Sequence, residues 1–442
     1  IKACLNCRVF VGEAPSQPQP TDQGRIGAMT ILERFLGEAA DDGLLTSLAE
    51  PEKVALSSLE EVLAQAAADP GILIDYVQGL DRQEPDVVLA VGRALAEIGD
   101  QRTIEPLRMM AQDVRAEIAA DAIRICATIR LPEAARALQT LIPIIHPELR
   151  PQAERALRRL RFAGVRVEDL PRPDPNWRAL VSPVDGQGQR NVWFIQERRT
   201  AQVRFLNILL NDRFGAVEAV GYSQVSAHLL PPRWPVGQLH DMALPDGSGA
   251  LLMLEVPFDV GRRLVLDALA LNRETQIPVA GPLRLSSPWL WALAGADALP
   301  PRVLPELTPK GESLWLASAQ LLDHPAFATW TVQSEAILEA AEALRHKAWN
   351  RNMWVRRLSA EFVDEPVVVE VLSERLTAMS EWLLASGDKI RSRIALATAW
   401  RLQAGAPPDL PLVKALVRRD LEFAVHSLMD EDEPLGGENQ VR

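Results

Sequence analysis

The chain has 442 residues, 48% hydrophobic and 24% charged, with a net charge of -12. That length exceeds what one core supports, so roughly two to four domains are expected, built from a composition that can bury a sizeable interior. The negative charge argues against a general nucleic-acid coat, and no run of about 18 uninterrupted apolar residues exists that would span a membrane.

Cys4, Cys7 and Cys126 are too few for a disulfide framework and fit a reducing, cytoplasmic setting. Cys4-Leu5-Asn6-Cys7 has the spacing of a zinc knuckle, which brings two thiolates to one ion. Zinc needs four ligands, and no second such pair or nearby histidine follows. Two readings stand: the second half of a zinc ribbon whose first half preceded Ile1, or two incidental thiols. Residues 13–24 are rich in Pro and Gln and read as a linker, so 1–24 forms one unit.

From Arg25 the pattern turns helical, with Ile31, Leu32, Phe35 and Leu36 on one face. Between Pro70 and about Val165 the chain repeats itself every 31 residues or so, a period within the range of helical solenoids. Ile104–Leu107 and Ala135–Leu138 share one phase; Ala94-Leu95, Ile125-Cys126 and Ala156-Leu157 share the next. Helix pairs this short cannot bury an apolar face alone, so each must seal its neighbour.

The run Gly99 to Ile129 resembles a HEAT repeat of the bacterial, phycobilin-lyase-like kind: Gly99-Asp100 matches the turn before its first helix, Pro106 the bend, and Asp113-Val114-Arg115 the turn opening its second. The likeness is clear only over residues 70–165. It implies an architecture, a concave surface that grips a partner, and no particular activity.

Pro171, Pro173 and Pro175 mark a connector, after which strand-like runs begin. Trp177–Val184 and Asn191–Gln196 flank Asp185-Gly186-Gln187-Gly188, and Val203–Leu210 and Ala216–Tyr222 flank a second turn, so two hairpins are expected. Leu251–Val256 adds a strand and Arg262–Asn272 an amphipathic helix. The first turn has a second reading, an anion cradle of backbone amides closed by Arg190, although it lacks the Lys-Ser/Thr of a P-loop. From about Ser313 the chain is helical again, and the tail from 429 is acidic.

These boundaries predict helical repeats over 25–165, an α+β domain over 166–312, a helical domain over 313–428 and a disordered acidic tail over 429–442. The expected fold is mainly α: a HEAT-like α-solenoid, a small α+β domain and a second helical array. No catalytic residue is assigned. The six histidines are scattered singly, and no G-x-S-x-G elbow occurs.

Two features suggest partner contacts. Arg150, Arg155, Arg158 and Arg159 belong to the densest basic stretch, extending to Arg166, which reads either as a solvated face or as a surface for phosphates or an acidic partner. Trp289 and Trp291 lie in a Pro-rich segment where an exposed indole would anchor an interface. The function expected is a non-catalytic scaffold or adaptor holding a protein on the solenoid's concave face. One alternative is an enzyme or ligand-binding protein with a site in 177–300, marked by a pocket gathering Asp185, Arg190, Asn211 and Asp212. The other is a nucleic-acid or ribosome-associated factor using the zinc knuckle and the arginine stripe.

Overall fold

The computed structural model describes residues 51–197, 202–243, 250–332, 334–345, 351–405 and 407–430. The expectations for 1–50, including Cys4, Cys7 and the helix face of Ile31, Leu32, Phe35 and Leu36, and for the tail beyond 430 lie outside them.

The helical region opens with α1 (Pro51–Ala68) and continues as three short pairs: α2 (Ile72–Leu80) with α3 (Pro85–Ile98), α4 (Ile104–Met110) with α5 (Ala116–Cys126), and α6 (Pro132–Leu141) with α7 (Arg150–Phe162). Prolines at the first turns of α3, α6 and α7 occupy positions where a missing N–H costs nothing. The alanines and leucines matched by the repeat turn inward, and Leu107 and Leu138 are fully buried. The turn between α4 and α5 is also pinned by its own residues. The Asp113 carboxylate accepts from the Arg115 amide at 2.9 Å, while the Arg115 guanidinium donates to the carbonyls of Gln83 and Leu80 at the end of α2. A cation there also meets the negative end of the α2 dipole.

The strands β1 (Trp177–Val181), β2 (Gln189–Gln196), β3 (Gln202–Asn211), β4 (Gly215–Ser226), β5 (Leu239–Ala243) and β6 (Ala250–Val256) form one antiparallel sheet in the order β4-β3-β2-β1-β6-β5. One face is covered by α8 (Phe258–Thr275). Gly261 permits that approach, because a Cβ there would sit 2.8 Å from the Phe194 ring. After α8 come two short helices, α9 (Gly281–Ser286) and α10 (Pro288–Trp291), and then a run of 3-10 turns over Pro309–Asp323. The last region comprises α11 (Glu335–Arg345), α12 (Arg351–Asp364), α13 (Pro366–Ala385), α14 (Lys389–Gln403) and α15 (Pro411–Asp430).

The expected fold class needs correction. The described residues are mainly helical with an antiparallel α+β part, but the helix pairs are not a free-standing solenoid. The first helices of the pairs, which would line a concave surface, are crossed by the segment after α8: α9 packs on α2, α4 and β4, and α10 on α6. Buried arginines lock this crossing. Arg284 of α9 makes a two-pronged ion pair with Asp81, at 2.9 and 3.1 Å, and Arg108 of α4 donates to the Arg284 carbonyl at 2.8 Å and the Ser287 hydroxyl at 2.5 Å. As a result one hydrophobic core runs unbroken from Leu59 through the sheet to Ala424. Period alone shows that helices stack; it does not show what a distant segment lays across them.

The C-terminal helices are fastened to the sheet by two indoles. Trp382 of α13 donates to the Val181 carbonyl at 3.0 Å, and Trp330 donates to that of Val184 at 2.9 Å. Arg375 of α13 joins the β1–β2 and β3–β4 turns by pairing with Asp212 and donating to the Gly186 carbonyl at 2.7 Å. These contacts carry α13 across the end of the sheet and create the space described next.

Candidate functional site

A cavity of about 290 Å³ lies between the sheet, α8 and α13. Its walls are Val181, Leu254, Val256, Val260 and Leu264 from the sheet and α8, with Trp382 and Leu384 from α13. Its mouth is rimmed by Val236, 64% exposed, and Val303, 59% exposed, beside Pro300 and Pro301. Apolar side chains held in water at a rim, above an apolar wall, suit an apolar guest better than solvent.

Four charged side chains line this cavity: Arg190, Glu255, Arg263 and Glu381. Three are committed. Glu255 accepts from Arg178 at 3.0 Å, and Arg263 donates to Glu381 at 2.5 Å; Arg302 reaches the other Glu381 oxygen at 3.5 Å. Burial pushes the Glu255 carboxyl up, against the pull of the Arg178 guanidinium.

Arg190 is different. It is 92% buried (relative exposure 8%), yet its guanidinium has one long contact, from Nη2 to the Ala378 carbonyl at 3.4 Å, and its Nε has no partner among the described residues. Burial pushes its pKa down to about 10. A guanidinium normally fills several donors in fixed directions, so this one is under-used.

The four polar groups expected to gather in a pocket therefore divide. Asp185, Asn211 and Asp212 are structural. The Asp185 carboxylate accepts from the amides of Gln187 at 2.8 Å and Gln189 at 2.7 Å, Asn211 accepts from the Arg213 amide at 2.8 Å, and Asp212 holds Arg375. Gly188, at φ 78°, completes a tight hairpin turn. This corrects the cradle reading, since the amides it needs are taken by Asp185. Arg190 alone faces a cavity.

The arginine stripe lies at the end of the helix pairs. Ala153, Ala156 and Leu160 turn α7 inward, leaving Arg155, Arg158, Arg159 and Phe162 exposed at i, i+3, i+4 and i+7 on one face. Phe162 is 91% exposed. Arg158 makes a 3.8 Å surface pair with Glu154, worth little, while Arg155 and Arg159 meet no acid among the described residues. Arg150 is exposed and turned back to the Pro143 carbonyl at 3.3 Å. The chain leaving α7 runs through Arg166 and Glu168, which edge an open groove of about 560 Å³ also bordered by Ile104, Pro132, Arg136 and Pro288.

The tryptophan expectation is corrected for one indole. Trp291 is fully buried beneath the Arg262 guanidinium, 5.0 Å from its ring, so it reaches no surface. Trp289 is half-buried, with Arg204 stacked over it at 4.7 Å. A Pro-rich context gave no hint that α8 would cover this segment. Phe162, the one aromatic beside the arginine stretch, carries no sequence signal of its exposure, since a lone aromatic falls short of the interleaved pattern of single-strand binding.

Among the described residues no group of three or more His, Cys, Asp or Glu side chains is placed to hold a metal, and no helix is long and apolar enough to cross a membrane. No family model matches the chain, and neither a curated protein nor a solved structure does.

Proposed function

We propose that the protein is a non-catalytic adaptor that docks an acidic protein partner on the outer face of α7. The observation carrying this reading is Phe162, 91% exposed within a set of arginines that are free of strong acidic partners. An exposed ring fringed by guanidinium groups has the composition of an interface anchor. On a chain of net charge -12 such a patch is a local exception, and it favours an acidic surface. The expected concave surface is crossed by α9 and α10, so the docking site moves to the end of the helix pairs. The likeness of Gly99–Ile129 to HEAT-type repeats supports the same class of function, and the cysteine usage supports a cytoplasmic setting. A zinc ion on Cys4 and Cys7 belongs to the proposal; metal content that is unchanged in a Cys4→Ser/Cys7→Ser chain would dismiss it.

The test is affinity capture from the native host with the full chain and two variants, Phe162→Ala and Arg155→Ala/Arg158→Ala/Arg159→Ala. An acidic protein retained by the native chain and lost from both variants is the expected result. Titration with labelled RNA and duplex DNA at two salt concentrations separates the rival: three phosphate contacts give a log-log salt slope of about -2 to -3. Such binding, abolished in the triple variant, would replace the adaptor reading with a nucleic-acid one.

A further inference from the structure

We propose that the cavity between the sheet, α8 and α13 binds a small molecule with an apolar body and one anionic head, the head meeting Arg190. Three independent observations converge on it. The walls are apolar: Val181, Leu254, Val256, Leu264 and Leu384 contribute side chains of the right kind for an aliphatic or aromatic body. The rim keeps Val236 and Val303 exposed, so the entrance is apolar too. Of the four charged residues at the wall, Arg190 alone has no oppositely charged partner among the described residues, and its guanidinium makes one long hydrogen bond, to the Ala378 carbonyl at 3.4 Å.

The chemistry of the head follows from the donors. A buried cation without an acid costs the fold free energy, which a bound anion would offset by charge and by hydrogen bonds together. Glu381 is near enough to bias Arg190, but it already holds Arg263 and Arg302. A carboxylate or phosphate monoester supplies planar or tripodal oxygens that accept from a guanidinium in a fork. A second strong charge on the ligand would have no counterpart, because Glu255, Arg263 and Glu381 are already paired and the rest of the wall is hydrocarbon. With space of about 290 Å³, the body is small, of the order of a medium-length acyl chain or one aromatic ring. This inference does not depend on the adaptor reading: the α7 face and the cavity share no residue.

Isothermal titration of the full chain with octanoate, octyl phosphate, octanol and inorganic phosphate tests it. The expected result is one saturable site for octanoate or octyl phosphate, at least tenfold tighter than for octanol, with inorganic phosphate weaker still. Which of the two anions binds more tightly tells a carboxylate source from a phosphate one. Arg190→Met removes the preference, so that anion and alcohol bind alike. Ala385→Trp, placed at the cavity wall on an exposed site, leaves Arg190 intact and weakens both. The proposal is overturned if no probe saturates, if octanoate and octanol bind the native chain equally, if inorganic phosphate alone binds as well as octyl phosphate, or if a folded Ala385→Trp chain binds octanoate as before.

Discussion

Arg284 and Arg190 are both buried arginines, and their surroundings could hardly differ more. Arg284 sits where α9 crosses the helix pairs, with both prongs on Asp81 and its own carbonyl taken by Arg108. Arg190 sits at the end of β2 with a single long contact to a carbonyl. The first arrangement meets its acid within the chain and acts as a staple, although the Arg284 Nε has no partner among the described residues. The second has no acid within ion-pair distance among the described residues, and a buried cation in an apolar cavity without an acid suits an anionic guest. Burial alone therefore does not mark a site, nor does one unfilled donor; a buried guanidinium without an acid does.

The largest expected effect comes from the staple. Arg284→Met leaves the Asp81 carboxylate, which burial already pushes above its ordinary value, without its partner. Removing one member of a buried pair costs about 3–5 kcal/mol. Urea denaturation followed by tryptophan fluorescence should show that loss, and a change under about 1 kcal/mol would mean the crossing is not held by this pair.

Leu107→Ala and Leu138→Ala measure the same crossing through packing alone. Both leucines are fully buried in the row of first helices, so each truncation should cost about 2–5 kcal/mol. If either costs far less than the arginine change, the row is looser than its burial indicates. Phe162→Ala is the counterpart on the free surface: a ring that exposed contributes within about 0.5 kcal/mol to stability, while partner capture is lost. A large stability loss there would place the ring in the core instead.

What the sequence made legible was local. Alternation around Asp185–Gly188 marked β1 and β2 because turn residues and strand period sit side by side in the chain. The matched positions Leu107 and Leu138 were legible because one helix face repeats. The helix-pair period could not reveal that residues 281–291 lie over those same helices, since the Arg284–Asp81 contact joins positions about two hundred residues apart. The solenoid expectation failed on that contact. Strand β5, Leu239–Ala243, was missed because it pairs only with β6 and carries His240 and Asp241 in a short run. Arg190 was singled out, but for the wrong neighbours: the turn amides belong to Asp185, and the cavity that gives Arg190 its meaning needs Val181, Leu254 and Leu384 from three separate elements.

The most direct measurement sets Arg284→Met and Arg190→Met side by side in ligand-free protein, by thermal unfolding under one buffer. With the staple gone the unfolding midpoint should fall; with Arg190 replaced by an apolar side chain of similar reach it should stay level or rise, because an uncompensated buried cation has been removed. A midpoint that falls as far for Arg190→Met as for Arg284→Met would contradict the account, since Arg190 would then be one more staple and not a ligand-binding group.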